Sequence, residues 1–399
     1  MDKLVRSNLT KLWIDHIFRA MSGGFLSVTA AFFLFQGMTD LQIGFHASLT
    51  NTVGLIVSLS CSGMAAGFRD SRKAIGLMFG LRALFILGYA LFCAVTVSSQ
   101  VFYTMMLIVG TLVAIETALR SIFEYKLPCE VLDMKYYSLH LSGSGLLSGI
   151  TGTVVGLVIP RMYQRFDFLT VTGVCLVLSA LTAFLALLLN LSLKPLEQQS
   201  SLPHTKLTVN PLEDLNALWH NRDFRRMLIP NFIRGLGLGT VSLAALIAVR
   251  GTGMAEGDTP MIQSSVYVGT MVSSFLYAWL VKRLGVPRTA LFGSLLFGVV
   301  CFATAGGPTW FLVLYAISYV GYNTVSNALP DMIYRTADPS VISPFHTWRL
   351  AVSNVGTVFA TTLFGWVMDK VPAAVILILG FLGILGCAGG YYLCYRKRI

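Results

Sequence analysis

Twelve apolar runs of about 20 to 27 residues, the length a helix needs to cross a hydrocarbon core, decide what this chain can fold into. They cover 11–36, 41–66, 73–97, 100–125, 137–160, 168–192, 225–249, 261–282, 286–305, 308–334, 344–368 and 372–395. Composition agrees: 55% of the 399 residues are hydrophobic and 12% charged, the latter about half the fraction usual for a soluble domain. The expected fold class is an all-α polytopic membrane protein with two pseudo-symmetric six-helix bundles. The one long polar break, LKPLEQQSSLPHTKLTVNPLEDLNALWHNRDFRR, divides the runs six and six. It predicts a first bundle over 1–192, a cytoplasmic loop over 193–224 and a second bundle over 225–399. Lys3, Arg6 and Lys11 precede the first run as in a signal peptide, but Asp15, His16 and Arg19 interrupt it and no small-residue cleavage site closes it. A retained membrane helix is expected.

Lysine and arginine fix the expected orientation. With the N-terminus inside, Arg161, Arg165, Arg250 and Lys370 fall outside, whereas Lys3, Arg6, Lys11, Arg69, Arg72, Lys73, Lys282, Arg283, Arg288 and the basic end Arg396–Arg398 fall inside. Both termini are thus expected in the cytoplasm, with the protein integral to the plasma membrane. The net charge of +11 is this asymmetry and not a nucleic-acid footprint, since no basic stripe interleaves with aromatics. Seven scattered cysteines without a CxxC pair and six histidines without ligand spacing predict neither disulfides, metal nor cofactor. A monomer in the lipid bilayer is expected.

The halves repeat. IFRAMSGGFLSVTAA (17–31) set against FIRGLGLGTVSLAAL (232–246) aligns Arg19 with Arg234, Gly24 with Gly239 and Ser27 with Ser242. Without a gap the register carries Gly54 onto Gly269 and Ser58 onto Ser273, and a second register brings His140 onto His346. Asp15 and His16 have no echo, since Pro230 and Asn231 stand opposite them. Internal repeats of this kind locate the working site of a transporter at their interface.

The six-plus-six plan, internal termini, long central loop and parallel half-repeat resemble the major facilitator superfamily over essentially the whole chain. A local signature lies in the loops after runs 2 and 8. The first copy, GMAAGFRDSRKA from Gly63, departs from the family pattern with Gly67 and Phe68 but keeps Arg69, Asp70, Arg72 and Lys73; the second, AWLVKRLGVPRT, retains Arg283, Gly285 and Arg288. The resemblance implies that these loops clasp helix ends and tune a conformational switch. In run 5, Gly143, Gly152 and Gly156 match the glycine spacing of the superfamily's exporters, although Leu157 stands where proline is usual and Pro160 follows three residues later. Close helix approach through small residues accounts for the same spacing.

A charge near the bilayer centre costs about 2.5 to 3.5 kcal/mol even on lenient scales, so each one needs a partner or a wet cavity. Asp15 and Arg19 share a helix face, Glu116, Arg120 and Glu124 form an acid, base, acid stripe, and Asn323, Asn327 and Asp331 repeat that spacing in run 10. Three roles fit. Arg19 and Arg234, with His140 nearby, receive an anionic substrate, as the resemblance to organic-phosphate exchangers implies. Alternatively Glu116, Asp15 or Asp331 carry protons as the cavity alternates. Alternatively the charges lock helices together, and His140 and His346 are hydrogen-bonded packing residues. Trp13, Phe18, Tyr267, Tyr319, Tyr322 and Trp348 are candidate stacking residues or interface anchors.

With no GxxxxGK[ST] loop, energy is expected from an ion gradient or the substrate's own. The expected function is secondary active, proton-coupled transport of a small organic solute by alternating access, tilted toward export. Alternatives are an organic-anion or sugar uptake symporter or exchanger, a lipid flippase, and a non-transporting receptor or scaffold. No nucleophile, base and oxyanion grouping suggests an enzyme.

Overall fold

The computed structural model describes residues 3–61, 70–94, 99–124, 127–132, 136–196, 215–216, 218–336 and 342–396. Each of the twelve apolar runs coincides with a long helix. In chain order these are α1 (Lys3–Leu26), α2 (Asp40–Ser60), α3 (Ser71–Ala94), α4 (Ser99–Glu124), α5 (Tyr137–Tyr163), α6 (Phe168–Ser192), α7 (Arg222–Ser242), α8 (Pro260–Leu284), α9 (Val286–Phe297), α10 (Pro308–Thr336), α11 (Ile342–Val367) and α12 (Ala373–Tyr395). Among the described residues ten stretches are long and apolar enough to cross a membrane, eleven if a bent pair is one span. The twelfth, α10, has 29 residues, about 44 Å at the helical rise, and owes its polarity to Asn323, Asn327 and Asp331.

One boundary differs markedly from the hydropathy reading. The first helix starts at Lys3 and not at residue 11, because its polar first turns have tertiary partners: Asn8 Nδ2 donates to the Val131 carbonyl at 2.9 Å and the Lys194 carbonyl at 2.7 Å. Three of the spans are also broken. The first resumes after Ser27 as Val28–Phe35, the seventh after Leu243 as Ala244–Thr252 with a 58° bend, and the ninth continues as a 3₁₀ helix, Gly298–Ala305. At the first break the Ser27 hydroxyl donates to the Gly24 carbonyl at 2.6 Å, the local competition with the helical ladder expected of serine. The seventh helix breaks one residue beyond the matching place in the repeat.

Two hydrophobic clusters hold the helices. One is built from residues between Val5 and Leu193, the other from Leu218 to Tyr395 plus Leu34. In the first set α1 runs along α5 and α6, and α3 along α6; in the second α7 runs along α11 and α12, and α9 along α10. The glycines paired by the repeat do matching work. A Cβ on Gly24 would stand 2.9 Å from Val155 on α5, and one on Gly239 2.5 Å from Ala360 on α11.

The two sets meet along α5 with α8 and α2 with α11. Glycine permits both contacts: a Cβ on Gly149 would lie 2.6 Å from Met271 Cβ, and one on Gly44 2.8 Å from the Gly365 backbone. Such close approach is how helices associate where lipid gives no hydrophobic drive. Ser48 shares hydrogen bonds with Thr361 and Thr362 at 2.6 and 2.7 Å, Ser264 donates to the Thr153 carbonyl at 3.1 Å, and Tyr267 to the Ala20 carbonyl at 3.2 Å. Arg250 pairs with Asp40 at 2.8 Å. These links lie from mid-helix toward the ends that carry residues 37–40 and 253–259, remote from the N-terminus.

Candidate functional site

The first set of helices encloses a chain of six buried or half-buried charges. Arg19 Nε meets Asp15 Oδ2 at 2.6 Å, and the other arm of Arg19 bonds Glu124. Glu124 is shared with Arg120, whose Nε donates to Glu116 at 2.8 Å; Glu116 also faces Arg82 at 3.4 Å. Asn190 Nδ2 donates to the remaining Asp15 oxygen at 2.8 Å. Signs alternate, three acids against three bases, so the chain is neutral as a whole. The Arg19 and Arg120 guanidiniums both lie over the Phe79 ring, 4.7 and 4.9 Å from its centre, cation–π contacts strengthened by the dry surroundings. Asp15 and Glu116 are each 1% exposed. A carboxylate so buried stays charged only with such partners.

Four helices, α1, α3, α4 and α6, contribute to this chain. The i,i+4 links within α1 and α4 were legible in the sequence; Arg82, Phe79 and Asn190 were not. The lone Arg82 in an otherwise apolar run was the one signal, and it named no partner. His16 and His140 stack obliquely beside the chain, centres 5.4 Å apart, with His140 Nδ1 bonded to Ser144 at 3.2 Å.

The second set is arranged differently. Arg234 is 6% exposed and bonds two hydroxyls, Ser353 at 3.3 Å and Ser326 at 3.2 Å. Its Nε is buried without a partner. Arg349, one helical turn before Ser353, is 4% exposed and was not singled out in the sequence. In the α10 stripe, Asn323 donates to Thr270 at 2.9 Å and Asp331 accepts from Tyr277 at 2.9 Å, while the Asn327 carbonyl accepts from the same tyrosine at 3.4 Å. These three bonds all run between α10 and α8. Arg19 and Arg234 are therefore set in separate networks, one in each set of helices.

A cavity of about 420 Å³ opens between α2 and α4, with Thr50, Asn51, Ser58, Thr117 and Ser121 in its walls and Asn354 reaching it from α11. Of these six only Ser58 was named from the sequence, and only for its place in the repeat, because serine, threonine and asparagine in membrane helices usually bond their own backbone. The cavity adjoins the charge chain: the Thr117 hydroxyl donates to Glu116 at 3.2 Å.

The remaining predicted residues fall elsewhere. Gly152 and Gly156 face Tyr267 and Ser264 of α8, whereas Gly143 faces Trp13 within its own set. Asp70 bonds Arg72 at 2.7 and 2.8 Å, and Arg72 reaches the Leu193 carbonyl at 2.5 Å, tying the loop before α3 to the end of α6. Burial pushes the Asp70 carboxyl up, but the Arg72 guanidinium and the backbone N–H donors outweigh it and hold it below the ordinary carboxylate range. Gly285 ends α8 with φ 76°, a conformation glycine adopts without strain, and Arg283 lies over Trp279 at 5.8 Å. Arg288 falls in the first turn of α9. Gly63, Arg69 and the His346 side chain lie outside the described residues.

No protein-family model matches the chain, and no curated protein matches it in sequence. Solved structures do. The chain is similar to a mutant form of the nucleoside transporter NupG with TM-score 0.73 and 12% identity, covering 97% of this chain and 99% of that one. It is similar to a bacterial homologue of the iron transporter ferroportin in the outward-facing state (TM-score 0.67, 12% identity, 98% and 99% covered), and to FucP, a Major Facilitator Superfamily transporter in the outward conformation (0.61, 17%, 98% and 98%). The fold is that of the major facilitator superfamily. The chain is accordingly a multi-pass integral membrane protein, and its α2, α5, α8 and α11 form the contacts between the two halves of that superfamily fold.

Proposed function

We propose that the protein is a secondary transporter that moves a small organic solute by alternating access, coupled to protons. One observation carries the reading: two six-helix sets, each with its own hydrophobic cluster, touch through glycine-lined faces toward one side and hold a polar cavity beside buried charges. Sets that are each packed internally can rock about such a contact. On this reading 1–192 and 225–399 move as bodies joined by the 193–224 loop. The termini lie in the cytoplasm, so the closed face is the outer one and the cavity faces inward.

Glu116 is the proposed coupling residue. It is held between Arg82 and Arg120 and linked through Thr117 to the cavity wall, so protonation would release both arginines and a hydroxyl at once. Asp15, closed off by Arg19 and Asn190, and Asp331, bonded to Tyr277, are secondary candidates. The test uses proteoliposomes screened with sugars, nucleosides, amines and organic acids under an imposed pH gradient. Glu116→Gln is expected to lose gradient-driven accumulation while binding persists. Unchanged coupled accumulation would remove Glu116 from the mechanism, and absence of flux for every solute class would remove the transporter reading.

A further inference from the structure

The cavity between α2 and α4 has no Asp, Glu, Lys or Arg in its walls among the described residues, and its wall includes the His46 imidazole. Several of its polar groups have committed a proton elsewhere. Thr50 donates to the His46 carbonyl at 3.0 Å, Asn51 Nδ2 to the Ala47 carbonyl at 2.8 Å, Ser121 to the Ala118 carbonyl at 2.8 Å and Thr117 to the Glu116 carboxylate at 3.2 Å. What the wall still offers is mixed: lone pairs on these oxygens, and donors in the second Asn51 N–H, the Ser58 hydroxyl and the Asn354 amide. A wall of neutral donors and acceptors with no Lys or Arg gives a carboxylate or phosphate no counter-charge, and matches a ligand whose hydroxyl and N–H groups both donate and accept. A cation would find no counter-charge either, because Glu116 is 1% exposed and already engaged by Arg82 and Arg120.

We infer that this cavity binds an uncharged polar solute of the sugar, polyol or nucleoside class. That this solute is also the cargo rests on the transporter reading above. The size agrees, since about 420 Å³ lies at the lower end of the range for small-molecule sites and suits one or two rings. Gly54 supplies the means of closing it. A Cβ there would meet nothing within 4 Å, and Gly54 is in the cavity wall on a regular helix, so a large side chain would grow into the cavity.

The experiment compares charge states of fixed scaffolds by titration calorimetry on the purified full-length protein. Glucose is set against glucuronate and glucosamine, and uridine against uridine monophosphate. The expected result is that at least one neutral probe binds, with its charged counterparts weaker by about tenfold or more. Gly54→Phe should abolish that binding with the thermal midpoint retained, and Thr117→Val should weaken it by about fivefold, the worth of one hydrogen bond. Should Gly54→Phe not purify folded, Asn51→Leu replaces it, with a loss of at least fivefold expected. Tighter binding of a charged counterpart, no binding of either neutral probe, or binding untouched in the cavity variants overturns the inference. Neutral binding without flux of that solute in proteoliposomes keeps the site and sinks the transporter reading; flux of charged solutes alone does the reverse.

Discussion

Arg19 and Arg234 occupy matching places in the two sets of helices, yet they bond different kinds of partner. Arg19 sits between two carboxylates in a six-charge chain, whereas Arg234 is bonded to two serine hydroxyls. The same divergence recurs along the repeat. Glu116, Arg120 and Glu124 of α4 are ion-paired, while Asn323, Asn327 and Asp331 of α10 bond uncharged groups on α8. Gly54 borders the cavity, and its counterpart Gly269 is packed against Tyr319 and the Ala316 carbonyl. Backbone architecture has been kept, as the paired helix breaks and the Gly24 and Gly239 contacts demonstrate, while the polar contacts built on it have diverged.

The sharpest way to break this comparison is to remove each arginine. Arg19→Leu leaves Asp15 and Glu124 short of a buried partner, for an expected loss of about 3 to 5 kcal/mol. Arg234→Leu deletes a charge whose bonds are to neutral hydroxyls, and removing such an ion is expected to cost less than about 1 kcal/mol or to stabilise. Denaturant or thermal midpoints of the purified variants decide it; equal losses would show that both arginines are locked in the same manner. The glycine pair gives a smaller contrast. Gly269→Ala would place Cβ 2.8 Å from Tyr319 Cβ and should cost about 1 to 3 kcal/mol through overpacking. Gly54→Ala, into open space, should be neutral or gain up to about 1 kcal/mol from helix propensity. If both alanines are tolerated alike, the second set is looser than its packing indicates.

How much of this was legible depended on distance along the chain. Lipid demands long apolar helices, so all twelve spans could be counted from hydropathy, and the i,i+4 pairs Asp15–Arg19 and Glu116–Arg120–Glu124 followed from helical spacing alone. Arg82 and Asn190 meet the same charges from other helices, and no spacing within one helix encodes that. Their isolation in apolar runs signalled a cost without naming a partner. The spacing of Gly143, Gly152 and Gly156 was visible, but its two uses were not: the last two admit α8, and the first admits Trp13. The cavity was hidden for a further reason. Thr117 and Asn51 look like any backbone-bonded residue of a membrane helix, and only the open space beside them distinguishes them.

The smallest effect concerns the pair that bridges the two sets, and it sharpens the comparison from the other side. In the repeat register Ala255 stands opposite Asp40 and Phe35 opposite Arg250, so the duplication yields one bridge rather than two: the first set supplies the acid and the second the base. Arg250 is 55% exposed in its side chain, which limits such a pair to less than about 1 kcal/mol. Asp40→Asn should therefore open this face by less than about fivefold in population, read as the distance distribution between spin labels at Leu41 and Trp366. The exchange Asp40→Arg with Arg250→Asp should restore the original distribution, because the bridge depends on opposite charge and not on which set carries which sign. If Asp40→Asn leaves the distribution unmoved, the glycine and hydroxyl contacts of α2 with α11 hold the face shut by themselves. If the exchange fails to rescue while the single variant opens the face, the asymmetry of the two sets extends to their outer ends, with Asp40 required on the first set for more than its charge.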